Sequence, residues 1–216
     1  MIHLIHISKT YRTGPELFYA LNDISLDVEQ GEFIAVCGPS GAGKSTMLFL
    51  IGGMIRPDQG EVVVYGQNIF RLSEKEKNKY RSETIGFVFQ QFHLIPYLTV
   101  QDNISLACST PNDRIRLPDM LKKCALVEKT NQYPSELSVG EKQRVAFIRA
   151  MIANPKIILA DEPTGNLDPD NTDILIQLLK DFNANGGTVL LVTHDPQLAG
   201  IAQRTVFIRK GRLTPQ

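Results

Sequence analysis

Apolar residues along this chain fall into two kinds of pattern, and each predicts a different element. Residues 33–37 (FIAVC), 157–160 (IILA) and 188–193 (TVLLVT) are short, almost wholly apolar runs. Runs of that length read as strands covered on both faces. Residues 61–65 (EVVVY) and 85–89 (IGFVF) are β-branched or aromatic and read as strands too. Alternation marks two more: residues 1–11, with Ile2, Leu4, Ile5 and Ile7 apolar, and residues 24–28 (ISLDV). Turn signals lie at Thr13-Gly14-Pro15, at Gln30-Gly31 and over 56–60 (RPDQG). A last strand pair is predicted over 204–212, around Gly211. Helical spacing runs over 45–51, 99–107, 118–127, 140–153 and 171–182. Residues 73–83 (SEKEKNKYRSE) are polar and predict a solvated helix opened by a Ser73…Glu76 capping box. The stretch 111–132 is charged and less regular, and Pro134 breaks it. The N-terminal half is thus rich in short strands, while the second half alternates buried strands with helices, the order of a parallel α/β core.

Composition narrows the classes. A length of 216 residues and 43% hydrophobic content suit one large domain with a real core. Lys+Arg and Asp+Glu both number 23, so the chain lacks the basic excess of a dedicated nucleic-acid binder, and no nucleic-acid partner is expected. No apolar run approaches the ~18 residues of a membrane span. The start, MIHLIHISKTY, lacks the pattern of a signal peptide. The expected location is therefore cytoplasmic, with any membrane role exerted through a partner. Cys37, Cys108 and Cys124 show no metal-type spacing and read as reduced thiols. His3 and His6 read as sheet-surface residues.

The candidate chemistry begins at residues 38–46 (GPSGAGKST). Gly38, Gly43, Lys44 and Ser45 stand at phosphate-loop spacing, between a predicted strand and a predicted helix. Glycines let backbone N–H groups curl around phosphates, and the helix N-terminus adds partial positive charge. Gly38, Pro39, Ser40, Gly41, Ala42, Gly43, Lys44, Ser45 and Thr46 form the candidate nucleotide-binding loop. Lys44 would reach the β- and γ-phosphates and Ser45 would ligate Mg²⁺. The strand 157–160 leads into Asp161 and Glu162, which places one carboxylate beside the Mg²⁺ site and a second where it can polarise an attacking water. His194 ends another buried strand. It can hold the water or donate to the γ-phosphate; the plainer alternative is a histidine satisfied by backbone groups.

Residues 137–150 (LSVGEKQRVAFIRA) resemble the signature motif of the ATP-binding cassette ATPases, the nucleotide-binding subunits of ABC transporters. GPSGAGKST, IILADEP and LVTHD stand around it in that family's order, and the resemblance covers essentially the whole chain. It implies an α/β fold: a P-loop NTPase core with a parallel sheet, an N-terminal antiparallel β-subdomain and a helical subdomain. The core and β-subdomain would take roughly residues 1–90 and 135–216, and the helical part 91–134, trimmed between Asn103 and Pro134. It implies ATP and Mg²⁺ as ligands, with Tyr11 stacking on adenine. Gln90, rather than Gln91, would link Mg²⁺ and water to the membrane subunit. Gly165, Asn166, Leu167 and Asp168 would face an opposite subunit. Ser138, Gly140 and Glu141 would serve the γ-phosphate of a second chain, so the chain must pair, most simply with itself or else with a different cassette. An integral membrane subunit is the implied partner. Phe92, Ile95, Pro96, Tyr97 and Leu98 either form a groove for that subunit or pack the helical part. Val139 departs from the usual signature; a β-branched residue resists positive φ there and is expected to crowd the phosphate. Residues 86–104 (GFVFQQFHLIPYLTVQDNI) and ADEPTGNLD resemble the branch of lipoprotein-release, macrolide-export and cell-division cassettes. The function so implied is ATP hydrolysis powering export or mechanotransmission, the alternative being a division-type regulator that signals to wall-remodelling machinery.

Overall fold

The computed structural model describes residues 1–165 and 167–214, and leaves aside the side chains of Thr13 and Asp170. Four strands form an antiparallel sheet in the order β2-β1-β4-β5: β1 (Ile2–Thr13), β2 (Glu16–Val28), β4 (Gln59–Val64) and β5 (Gln67–Asn68). Six form a mainly parallel sheet in the order β10-β9-β3-β8-β7-β6: β3 (Phe33–Cys37), β6 (Ile85–Val88), β7 (Ile157–Asp161), β8 (Thr188–Val192), β9 (Arg204–Arg209) and β10 (Arg212–Thr214). Among the described residues, only the β9–β10 pairing in that sheet is antiparallel. The helices are α1 (Lys44–Ile51), α2 (Glu74–Thr84), α3 (Val100–Ser105), α4 (Pro111–Lys123), α5 (Val139–Met151), α6 (Pro169–Ala184) and α7 (Pro196–Ala199).

The three apolar runs become the centre of the large sheet, and every residue of β3, β7 and β8 is buried. Period-2 alternation then sends neighbours to opposite cores. Ile158, Ala160, Val189 and Leu191 pack with α3 to α6. Ile157, Leu159, Leu190 and Val192 pack with α1 and the small sheet. The large sheet is thus the middle of three layers. Met47, Leu48, Leu50 and Ile51 of α1 are fully buried, each contributing about 1.5–3 kcal/mol of burial. They pin the phosphate loop at the C-terminal end of β3.

Two element expectations need correction. The second strand was expected over 24–28 but starts at Glu16, pairing with β1 from the turn onward. His6 (φ 51) and Asp23 (φ 58) mark an irregularity where the register shifts. Alternation slips phase across it, which hides one long strand from a pattern search. The helix expected over 118–127 is α4, which starts at Pro111 and contains Pro118. Thr110 caps it reciprocally with Asp113, and Pro111 suits the first turn. Pro118 is exposed, so water can satisfy the carbonyl its missing N–H leaves free. The capping box at Ser73 and Glu76 is present as expected. Cys37, Cys108 and Cys124 are free thiols. Burial pushes the Cys124 thiol up to about 11.

Candidate active site

Strand ends β3, β7 and β8 open on one side of the large sheet, the edge where parallel α/β sheets bind ligands. A cavity of about 670 Å³ lies there. All nine residues from Gly38 to Thr46 line it, together with Tyr11, Gln90, Asp161, Glu162 and His194. Sequence reasoning placed each of these at a nucleotide, and the fold brings them together. Gln91 is not among the lining residues.

The loop glycines are required by space as well as by φ. Gly38 has φ 153, and a Cβ on it would stand 2.1 Å from the Ile208 carbonyl oxygen. Gly43 has φ 105, and its Cβ would stand 2.0 Å from the Ala20 carbonyl oxygen. Real Cβ atoms do not approach so closely, so the loop closes against β9 and β2 only as glycine. Lys44 is buried and donates to the carbonyls of Gly38 (2.9 Å) and Pro39 (3.0 Å). Its Nζ is also 3.8 Å from Glu162 Oε1. The first turn of α1 contains no acid of its own, so the carboxylates that meet its N-terminal field are those of Asp161 and Glu162 at the end of β7.

Ser45 Oγ donates to Asp161 Oδ1 at 3.0 Å. Burial pushes the Asp161 carboxyl up, the bond from Ser45 acts against it, and neighbouring Glu162 adds to the rise. A hydroxyl and a buried carboxylate side by side are hard oxygen donors of the kind Mg²⁺ takes. Glu162 occupies the left-handed region (φ 44), which is uncommon for a glutamate. Its N–H donates to the Val192 carbonyl at 2.9 Å, which carries the β7–β8 pairing one residue past the strand. The kink turns its carboxylate into the cavity, where Oε2 meets His194 Nδ1 at 2.9 Å. The histidine is therefore partnered by a side chain.

Ser138, Gly140 and Glu141 lie outside the cavity, at the start of α5. Ser138 Oγ accepts the Glu141 N–H at 3.2 Å, and Glu141 Oε2 accepts the Ser138 N–H at 2.7 Å. Glu141 also pairs with Lys129 at 3.4 Å. The Ser138 N–H, the Ser138 hydroxyl and Lys129 hold the Glu141 carboxyl below its ordinary range. A Cβ on Gly140 would stand 2.6 Å from the Asn171 amide, which is itself bonded to Asp168. Val139 corrects an expectation: it is the first residue of α5 and has helical backbone, so it pays no positive-φ penalty. Asn166 lies outside the described residues; Asp168 caps α6. Of the apolar cluster after Gln90, Tyr97 is strongly exposed, while Phe92, Ile95 and Leu98 are half-buried. Asn103 ties that segment together by accepting the Ile95 N–H and donating to the Ile95 and Leu98 carbonyls.

Sequence reasoning missed Phe18 and Ala20, which also line the cavity. Both belong to the hidden N-terminal part of β2. The available signal was the turn at residues 13–15, which pairs the strands that flank it.

The sequence profile of the ABC transporter family matches residues 21–165. This chain belongs to that family. The cassette is 44% identical over 223 residues to an uncharacterized ABC transporter ATP-binding protein of Methanocaldococcus jannaschii, MJ0796, covering 99% of this chain and 95% of that one. It is 39% identical to the macrolide export ATP-binding/permease protein MacB of Chlorobaculum tepidum, over 98% of this chain and 33% of MacB. A solved dimer of MJ0796 in a post-hydrolysis state, bound to ADP and Pi, superposes with a TM-score of 0.93 at 40% identity, covering 100% of this chain and 97% of that one. The protein is thus an ABC ATPase of the MacB-type branch with the P-loop cassette fold. ABC cassettes work with membrane subunits, and among its described residues no helix is long and apolar enough to cross a membrane.

Proposed function

We propose that this cassette hydrolyses ATP in a pair of identical copies and so drives a separate integral membrane subunit from the cytoplasmic face. The carrying observation is the kinked Glu162, aimed into a cavity that also holds Lys44, Asp161 and His194. Lys44 leaves the loop carbonyls for the β- and γ-phosphates. Glu162 takes the proton of the water that attacks the γ-phosphorus, giving ADP and phosphate. His194 holds the Glu162 carboxylate in line, and Tyr11 carries the base. Ser45, Asp161 and Gln90 would hold Mg²⁺, which when bound supplies neutralising charge to the phosphates. The start of α5, with Ser138 and Gly140, offers helix N-terminal donors to the γ-phosphate of the opposite copy; the self-capped Glu141 shapes that turn. Release of phosphate then removes the bridge between copies. The described MJ0796 dimer supports this pairing.

The likeness to MacB supports an export or force-transmitting role, of the drug, peptide or lipoprotein-release kind. A groove of about 470 Å³ lined by Phe87, Phe89, Leu106, Ala107 and Arg149 suits a cytoplasmic helix of the membrane subunit. Glu162→Gln is expected to lower turnover about 10²–10⁴-fold while keeping ATP binding, and to accumulate an ATP-dependent dimer. Phosphate-release assays and light scattering at saturating ATP check both. A variant that stays monomeric there rejects the homodimer.

A further inference from the structure

Gln90 sits in a short loop that two aromatic rings close. Phe89 directly follows β6, and only Gln90, Gln91 and Phe92 separate it from His93. The chain turns back within that span. The His93 ring meets the Phe89 ring edge to face, with centroids 4.9 Å apart and planes at 88°. His93 has left-handed backbone, φ 47, a region histidine enters more readily than most residues. Its carbonyl accepts from Arg149 Nη1 at 2.7 Å. Ring, backbone angle and carbonyl thus constrain the same residue. His93 is exposed, so core burial does not account for the contact; what it fixes is the shape of the loop. Phe89 is a firm anchor for it. The Phe89 ring stacks on Phe87 with centroids 4.2 Å apart and planes at 23°. Both rings also meet Phe49, Phe87 at 5.6 Å and Phe89 at 6.5 Å. Phe49 belongs to α1, the helix that opens at Lys44. Aromatic contacts therefore tie the loop to the helix that carries the phosphate-binding residues.

We infer that His93 is a positioning residue for Gln90: its ring clips onto Phe89 and holds the loop so that Gln90 stays at the cavity beside Ser45 and Asp161. This rests on the ATPase reading above. Of residues 89–93, Gln90 lines that cavity and the other four do not. Glutamine has a long, rotamer-rich side chain, and its amide serves as a ligand at a defined place only when its backbone is fixed. The phosphate loop closes through contacts of its own. Loss of the clip is therefore felt where Gln90 acts, on Mg²⁺ and the attacking water, and not in the grip on ATP itself.

The test compares the full natural chain with His93→Asn, which suits left-handed backbone but lacks the ring, and with Phe89→Leu, which removes the other ring. Hydrogen exchange at the amides of residues 90–93, without nucleotide, reads the loop. Calorimetry with ATP in the absence of Mg²⁺ reads the phosphate loop, and turnover at varied Mg²⁺ reads Gln90. Each variant is expected to exchange about three- to tenfold faster over 90–93, the span of one aromatic pair. Each should also lower kcat and raise the half-saturating Mg²⁺ concentration by about the same factor, with the affinity for ATP alone unchanged. Both substitutions together should lose no more than either one, since they break one contact. Phe89→Tyr puts a ring back and with it the natural exchange over 90–93. Natural exchange rates in His93→Asn overturn the clip. Faster exchange with unaltered kcat and Mg²⁺ requirement marks local packing alone and overturns the positioning role, as do additive losses in the double variant. If the natural chain binds no ATP, the ATPase reading itself falls, and the positioning role with it.

Discussion

Asp58 stands outside the cavity, yet it holds the strand that carries Tyr11. Its carboxylate accepts from Lys9 Nζ at 2.8 Å, from the Thr10 N–H at 2.7 Å and from the Thr10 hydroxyl at 2.7 Å. Those bonds, with Lys9 first, lower its carboxyl from 3.8 to about 2. A depressed carboxylate stabilises the folded state above its unfolded pKa and loses that contribution as pH falls through the folded one. The effect should therefore be complete above about pH 4 and fade down to about pH 2. Because Asp58 is exposed, it amounts to at most about 1 kcal/mol. Asp58→Asn should accordingly melt slightly below the natural chain at neutral pH, and the gap should close on acidification; melting curves from pH 2 to 6 check this. At this scale the sequence was most readable where chemistry demands fixed spacing. Gly38, Lys44, Asp161 and Glu162 stand in runs that say what they bind. Phe18 and Asp58 do not, because only strand pairing brings them to Tyr11.

Helix α5 does two jobs through its two ends. Its start carries the exposed turn at Ser138 and Gly140, and near its other end Arg149 reaches the segment after Gln90. There the guanidinium donates to the carbonyls of His93 at 2.7 Å and Phe92 at 2.8 Å. Burial lowers its pKa, and the carbonyls satisfy part of its donor fork. A rigid rod so placed ties the Gln90 segment to the α5 start. Arg149→Ala should leave the part-buried Phe92 carbonyl short of a partner, while water takes over at the exposed His93, costing about 1 kcal/mol. It should also reduce kcat more than it weakens ATP binding, because Gln90 loses its support. Thermal melts alongside kcat and Kd separate the two effects; a pure packing role would leave kcat per folded molecule unchanged. Elements were legible where one physical signal dominated. The buried central strands were read to within a residue or so, whereas β2 was cut short and α4 was placed late, starting after its true beginning at Pro111 and overrunning its end at Lys123. In β2 a phase slip broke the alternation, and in α4 an internal proline outweighed the capping box at Thr110 and Asp113.

Across the whole molecule, the large sheet lies between a helical layer and a layer made by α1 and the small sheet, and its strand ends feed a single cavity. The parallel core was legible from three apolar runs. The arrangement of two sheets was not, since strand order is set by contacts far apart in sequence, such as those of β1 with β4. The membrane partner is a matter for the same scale. Affinity capture of this chain from detergent-extracted membranes should return a subunit of few spans with a large extracytoplasmic domain. A subunit of many spans enclosing a substrate cavity would instead indicate conventional transport. In the proposed pair of identical copies, the separation of the Ser138 turn from the cavity on one chain has a genetic consequence. Two chains broken in different places can repair each other. Lys44→Ala spoils the cavity and Ser138→Arg the turn, so each variant alone has no intact site in its dimer. Mixed in equal amounts, half of the dimers join one of each. Every such pair contains one site with both halves whole, so roughly a quarter of all sites regain function. ATPase activity in the mixture above the sum of the two separate variants is the expected outcome, and simple additivity would mean that each chain works alone.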